Sequence, residues 1–171
     1  NLLQYPVALF GALKAGLTIV NTNPLYTPRE MEHQFTDSNV KAIVIAENFA
    51  INLQQVIGNT EISIVLTASI GGMLGAIKGR LTNFVVRKIK RMVPTYNIPN
   101  TVTVKDAIKQ GSKFTLTDVE SCGEDVIVNQ YTGGTTGVAK GAMLTNRNRL
   151  ANMLQIKAWI SNSMGDGKNG T

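Results

Sequence analysis

Two short apolar runs, Lys41–Ala46 (with Ile43, Val44 and Ile45 in succession) and Ile62–Thr67, constrain this chain most. Continuous apolar strands, with no polar alternation to mark a wet face, belong to a parallel sheet covered by helices on both sides. The stretches around them supply such helices. Leu3–Ala15 reads as a helix with Pro6 in its first turn and Gly16 at its C-cap. Thr18–Val20 is a short β-branched run. Thr27, Pro28 and Glu30 then spell a capping box with proline at the first helical position, opening a helix to about Asp37. Phe49–Ile57 is helical again and ends at Gly58. Strand, helix, strand, helix, strand at this spacing predicts an α/β fold, a doubly wound parallel sheet flanked by helices.

Beyond it, Leu74, Ile77, Leu81, Phe84, Val85, Ile89 and Met92 mark one face of a helix that Pro94 and Pro99 bring to an end. Thr101–Val104 and Phe114–Leu116 read as extended, with a small helix over Asp106–Gln110 between them. Asp125–Tyr131 is a further strand. Thr145 or Asn146 can cap a helix to about Ile160, in which Met153, Ile156 and Ile160 have core spacing and Trp159 flanks that face. The 171 residues suit one substantial domain, expected over 1–160, with a Ser-, Asn- and Gly-rich ragged tail at 161–171. Hydrophobic residues at 43% against 16% charged exclude a disordered chain. The first residue is Asn1 and no leader-like segment follows, so a piece of a longer protein is expected.

Charge and cysteine usage narrow the function classes. Seven basic residues and no acid lie between Ile62 and Lys105, so the whole net charge of +6 belongs to that window. Such a run reads first as a solvated face and second as a surface for anionic lipid. It lacks the interleaved aromatics of a nucleic-acid binder, and no nucleic-acid partner is expected. The single cysteine, Cys122, cannot form an internal disulfide and fits a reducing compartment. His33 is the only histidine, so neither a Ser-His-Asp triad nor a histidine-based metal site can be assembled. It reads as a helix-surface residue.

One stretch carries chemistry: Tyr131-Thr132-Gly133-Gly134-Thr135-Thr136-Gly137-Val138-Ala139-Lys140-Gly141, followed by Ala142. Glycines let backbone N–H groups converge on an anion, three threonine hydroxyls add donors, and Lys140 adds a mobile positive charge. A turn alone needs the glycines but not the hydroxyls and lysine beside them. Placed between a strand and a helix, the stretch reads as a phosphate-binding loop. It is no Walker loop, since Ala139 stands where that spacing demands glycine and Gly141 where it demands Ser or Thr. The dinucleotide spacing at Gly165, Gly167 and Gly170 has no strand before it and is set aside.

The loop resembles the phosphate-binding signature of the AMP-forming acyl-activating superfamily, commonly Tyr-Thr-Ser-Gly-Thr-Thr-Gly-x-Pro-Lys-Gly. The departures are Gly133 for serine and Ala139 for proline. With Leu2–Gly11, Asn23–Glu30, Val93-Pro94 and Ala142–Asn148, the chain looks most like bacterial long-chain fatty-acid–CoA ligases. The resemblance implies part of the large N-terminal AMP-binding domain, with the phosphate loop at 131–141. It implies ATP, Mg²⁺ and coenzyme A, and a long-chain fatty acid as substrate. A carboxylate would attack the α-phosphate, releasing pyrophosphate, and coenzyme A would then displace AMP.

The residues from Tyr131 to Ala142 would bind nucleotide, with Thr132 to Gly137 around the β and γ phosphates and Lys140 steadying them. No residue is assigned to the metal, and none is catalytic. In the family the catalytic lysine lies in a small C-terminal domain absent from this chain, so the fragment alone is expected to be inactive. A cytoplasmic protein is implied; the basic helix over Met73–Met92 reads first as a plain surface helix and second as a contact for the inner membrane surface. A homodimer is a further expectation, because a piece without its neighbours exposes apolar surface. Two other readings stand beside this one: an adenylating ligase for another carboxylic acid, and a non-catalytic nucleotide-binding or membrane-associating module.

Overall fold

The computed structural model describes residues 2–132 and 139–165. In chain order the elements are α1 (Gln4–Lys14), β1 (Ile19–Asn21), α2 (Pro28–Asp37), β2 (Ala42–Ala46), α3 (Ala50–Val56), β3 (Ile64–Ala68) and α4 (Ala76–Phe84). After them come β4 (Val102–Thr103), α5 (Val104–Gly111), β5 (Val126–Thr132), β6 (Lys140–Thr145) and α6 (Asn146–Gly165). The strands form two three-stranded sheets. One has the order β2-β3-β4, all parallel; in the other, β5 lies between a parallel β1 and an antiparallel β6.

Local sequence explains the best-formed elements. Thr27 and Glu30 make the reciprocal capping box at the start of α2, with Pro28 in the first turn. Three turns close on residues with positive φ: Gly16 after α1 (φ 72°), Asn39 after α2 (50°) and Arg91 after the five-residue π-helical turn Val85–Ile89 that extends α4. The N–H groups of Leu17, Val40 and Met92, each one residue further on, bond back to Ala12, Phe35 and Val86. Gly16 is needed twice over, since a Cβ there would also stand 2.7 Å from Val119 Cγ1.

The core lies between α2, α3 and one face of β2-β3-β4. Met31 and Phe35 of α2 meet Ala50, Leu53 and Val56 of α3 over Ile45 and Val65, with Ile62 and Ile98 at the margin. Here an expectation is corrected. Val44 is 44% and Ile64 54% exposed, because no described helix covers the second face of this sheet. Phe114–Leu116 is also not a strand: it crosses the surface without sheet pairing, Phe114 largely exposed.

α6 runs on to Gly165, past the expected end at Ile160. Its residues Met153, Ile156 and Ile160, expected in a core, are exposed, whereas the start of the helix is held to the body. There the Asn146 and Arg147 N–H groups bond to Asp125 and Gly123 carbonyls, and the Asn146 side chain donates to Ser121 and Cys122. Residues 166–171, including Gly167 and Gly170, lie outside the described residues.

Candidate functional site

The loop leaves the carboxyl end of β5, beside the carboxyl end of parallel β1, the edge at which open α/β sheets gather ligands. It returns as β6, antiparallel to β5, with Thr132 paired to Lys140, Tyr131 to Gly141 and Gln130 to Ala142. This corrects the reading of strand, loop and helix. A strand of six residues intervenes, and α6 begins only at Asn146, where Thr145 caps it by exchanging bonds with Asn148. The loop's chemistry therefore rests on a β-hairpin and not on a helix N-terminus. Gly133, Gly134, Thr135, Thr136, Gly137 and Val138 lie outside the described residues. Thr132, Lys140, Gly141 and Ala142 are exposed at or near the hairpin mouth, and Ala139 is half-buried.

Tyr131 anchors the hairpin. Its ring is buried and lies across Gly141, where a Cβ would stand 2.9 Å from Cε2, so the tight crossing requires glycine. Its hydroxyl donates to the Asp37 carboxylate at the end of α2. Burial, with the Asp37 bond and charge added, pushes the phenol up to about 12. Tyr131 thus fixes the loop's first strand to α2, and its polar atom is committed there.

The sequence reading missed the partners of this anchor. His33 Nε2 lies 3.2 Å from the Ala139 carbonyl; a carbonyl only accepts, so the hydrogen sits on Nε2 and the ring donates. Asn21, opposite Gln130 in the β1–β5 register, donates to the Gln130 side chain at 3.4 Å and accepts from the Tyr5 hydroxyl at 3.0 Å. The fully buried Gln34 side chain donates to the Asn21 carbonyl at 3.0 Å. His33 and Ala139 stand 106 positions apart, and nothing local to either one signals the other. α2, with its residues Gln34, His33 and Asp37, is the platform on which both ends of the loop rest.

Other chemistry lies elsewhere. A crevice of about 280 Å³ opens at the carboxyl ends of β2-β3-β4, lined in part by Glu47, Arg80, Arg87 and Lys105 and by no described residue of the loop. Inside it the buried Glu47 carboxylate takes two bonds from Arg87, which raise the guanidinium further. The exposed Cys122 donates its N–H and thiol to Asp125, holding that carboxyl below its usual range. Among the described residues no group of three or more His, Cys, Asp and Glu is placed to hold a metal ion. No described helix is long and apolar enough to cross a membrane.

Comparison with known proteins agrees with this geometry. The chain is 51% identical over 168 residues to a long-chain-fatty-acid–CoA ligase of Salmonella typhimurium, covering 98% of itself and 30% of that protein. A long-chain-fatty-acid–CoA ligase of Haemophilus influenzae is 50% identical over 94% of the chain and 28% of its own length. The crystal structure of a long-chain-fatty-acid-CoA ligase from Archaeoglobus fulgidus superposes with a TM-score of 0.65 at 27% identity, over 91% of this chain and 25% of that one. The chain thus spans about 30% of the length of the curated relatives it matches. The model of the AMP-binding enzyme family matches residues 1–169, and with its glycine- and threonine-rich hairpin set at the carboxyl edge of parallel strands, the chain belongs to the AMP-binding enzymes.

Proposed function

We propose that this chain supplies the triphosphate-holding part of a cytoplasmic enzyme that activates a long-chain fatty acid as its coenzyme A thioester. The observation that carries the reading is the Tyr131–Gly141 loop sequence on a rigidly anchored hairpin, in a chain half identical to proteins named for that reaction. In the first step a carboxylate oxygen attacks the α-phosphorus of ATP, and the bond to the bridging oxygen breaks to release pyrophosphate. In the second, the thiol of coenzyme A attacks the acyl carbon, loses its proton, and expels AMP.

What this part must do is gather charge around the leaving pyrophosphate. N–H groups of Gly133, Gly134 and Gly137, the hydroxyls of Thr132, Thr135 and Thr136, and the Lys140 ammonium suit that task. Mg²⁺ would arrive on the triphosphate itself. The described residues offer no cage for it, and no step here runs through it. The Tyr131–Asp37 and His33–Ala139 bonds tie both flanks of the loop to α2, the fixed base from which it would hold the triphosphate.

The test is ATP–pyrophosphate exchange driven by fatty acids in the intact protein, with Lys140→Ala and Gly134→Ala beside it. The expected outcome is exchange that requires a long-chain acid and falls about 100-fold or more in the loop variants, as for loss of a preorganised charge donor. Exchange with other acids only moves the enzyme to another substrate. Absence of exchange with every carboxylate overturns the reading.

A further inference from the structure

β6 is the weakly held side of the hairpin. It is an edge strand, with β5 on one side only, and its residues from Lys140 to Leu144 are exposed. Its first residue, Lys140, carries the loop's only side-chain charge. Before it stands Ala139, whose methyl group leaves the backbone free to turn. Among the described residues one hydrogen bond reaches this point from outside the hairpin, that from His33 Nε2 to the Ala139 carbonyl at 3.2 Å. The carbonyl shares a rigid peptide plane with the Lys140 N–H, so holding it sets the direction in which the chain enters β6. His33 has little freedom to drift. Its neighbours on α2, Met31, Gln34 and Phe35, are buried, and the Gln34 side chain ties the helix to the Asn21 carbonyl of β1. One helical turn on, Asp37 takes the Tyr131 hydroxyl from the hairpin's other strand.

We infer that His33 is a positioning residue for Lys140: by holding the Ala139–Lys140 peptide it aims the lysine at the place where the triphosphate binds. The imidazole does this from outside the loop and without touching the nucleotide. A ring that only filled space at this half-buried position would need no N–H, whereas the bond to Ala139 supplies the one restraint that alanine lacks and a proline would build in. An ammonium on a flexible stem gains from a fixed base, since less freedom is then lost when it meets phosphate oxygens. For what Lys140 contacts, the inference rests on the triphosphate-holding role proposed above. The bond itself does not depend on that role.

The test is the kinetics of ATP–pyrophosphate exchange, with ATP affinity from calorimetry, in the intact protein carrying His33→Leu or His33→Gln. Leucine fills similar space without a donor, and glutamine keeps an N–H at similar reach. His33→Leu should raise the KM and the Kd for ATP about tenfold, as for loss of one positioning hydrogen bond, and leave the KM for the fatty acid as it is. His33→Gln should bring both ATP values back to within about threefold of the unaltered protein. Mere loss of folded protein would instead lower kcat and leave both KM values unchanged. In an Ala139→Pro background, where the ring fixes φ, the effect of His33→Leu should shrink to about threefold or less. An undiminished effect there would mean that the imidazole meets the nucleotide itself, and it overturns the positioning role. So do equal ATP affinities in the unaltered and His33→Leu proteins, or a glutamine no better than leucine. Where Ala139→Pro does not fold, the glutamine variant decides. Exchange absent with every carboxylate removes the adenylation reading alone, since ATP affinity still decides the inference, whereas a protein that binds no ATP overturns both.

Discussion

Tyr131 keeps its phenolic proton to about pH 12, against an ordinary value of 10, because its hydroxyl is buried and donates to a carboxylate. In the unfolded chain that proton leaves first as pH rises past 10. The stability linked to it is therefore complete below pH 10 and is lost as the pH climbs toward 12, by up to about 3 kcal/mol. Tyr131→Phe should remove that alkaline loss, at a cost of about 1 kcal/mol near neutrality for leaving Asp37 without its donor. Urea midpoints of the two proteins near pH 7 and near pH 12 measure both effects; equal alkaline losses would mean the bond is not made. The sequence showed Tyr131 only as the first letter of a loop. That its ring needs Gly141 beneath it, and its hydroxyl a carboxylate 94 positions away, follows from strand pairing and helix placement, which no local spacing encodes.

At the scale of elements, legibility followed how local the cause is. α2 was readable to the residue because Thr27, Pro28 and Glu30 act within one turn. β6 was missed because its core is Gly141-Ala142-Met143, short and poor in β-branched residues, and it is made a strand by its pairing with β5. α4 was readable as a helix but not for its orientation. Apolar periodicity marks a stripe, whereas Gly79 and Asn83 decide which side approaches the body. The close approach gives a direct prediction. A methyl at Gly79 would meet backbone, which cannot swing aside, so Gly79→Ala should destabilise the protein by about 1–3 kcal/mol although alanine is the better helix former. Hydrogen exchange should then quicken in α4 before it does in α2 or α3. Unchanged protection in α4 would mean that the helix is not docked through this face.

Over the whole molecule, the accessible surface is 12,551 Å², whereas a compact protein of 18.5 kDa exposes roughly 8,200 Å². Apolar side chains stand exposed in identifiable places. Leu3 just ahead of α1 and Phe10 within it, Val44 and Ile64 on the bare face of the β2-β3-β4 sheet, and Leu154 and Trp159 of α6 are each 44% exposed or more. In α6 the apolar residues extend around more than half the helix, the pattern of an element surrounded by protein and not of one lying on a surface. Fold class was legible because strand and helix periodicities are local. What covers these faces was not, since spacing says that a residue is apolar and not what lies across from it. α4 differs from α1 and β2-β3: its stripe is narrow and flanked by cations. The 171-residue chain on its own should therefore self-associate through α1, the bare sheet face and α6. Light scattering should give a mass that rises with concentration, and an apolar dye should bind. Leu154→Glu with Trp159→Glu should lower both without changing the helix content, while Leu81→Ser should not. A concentration-independent monomer that binds no dye would show these helices folded back onto the sheet, and the surface argument would fall with it.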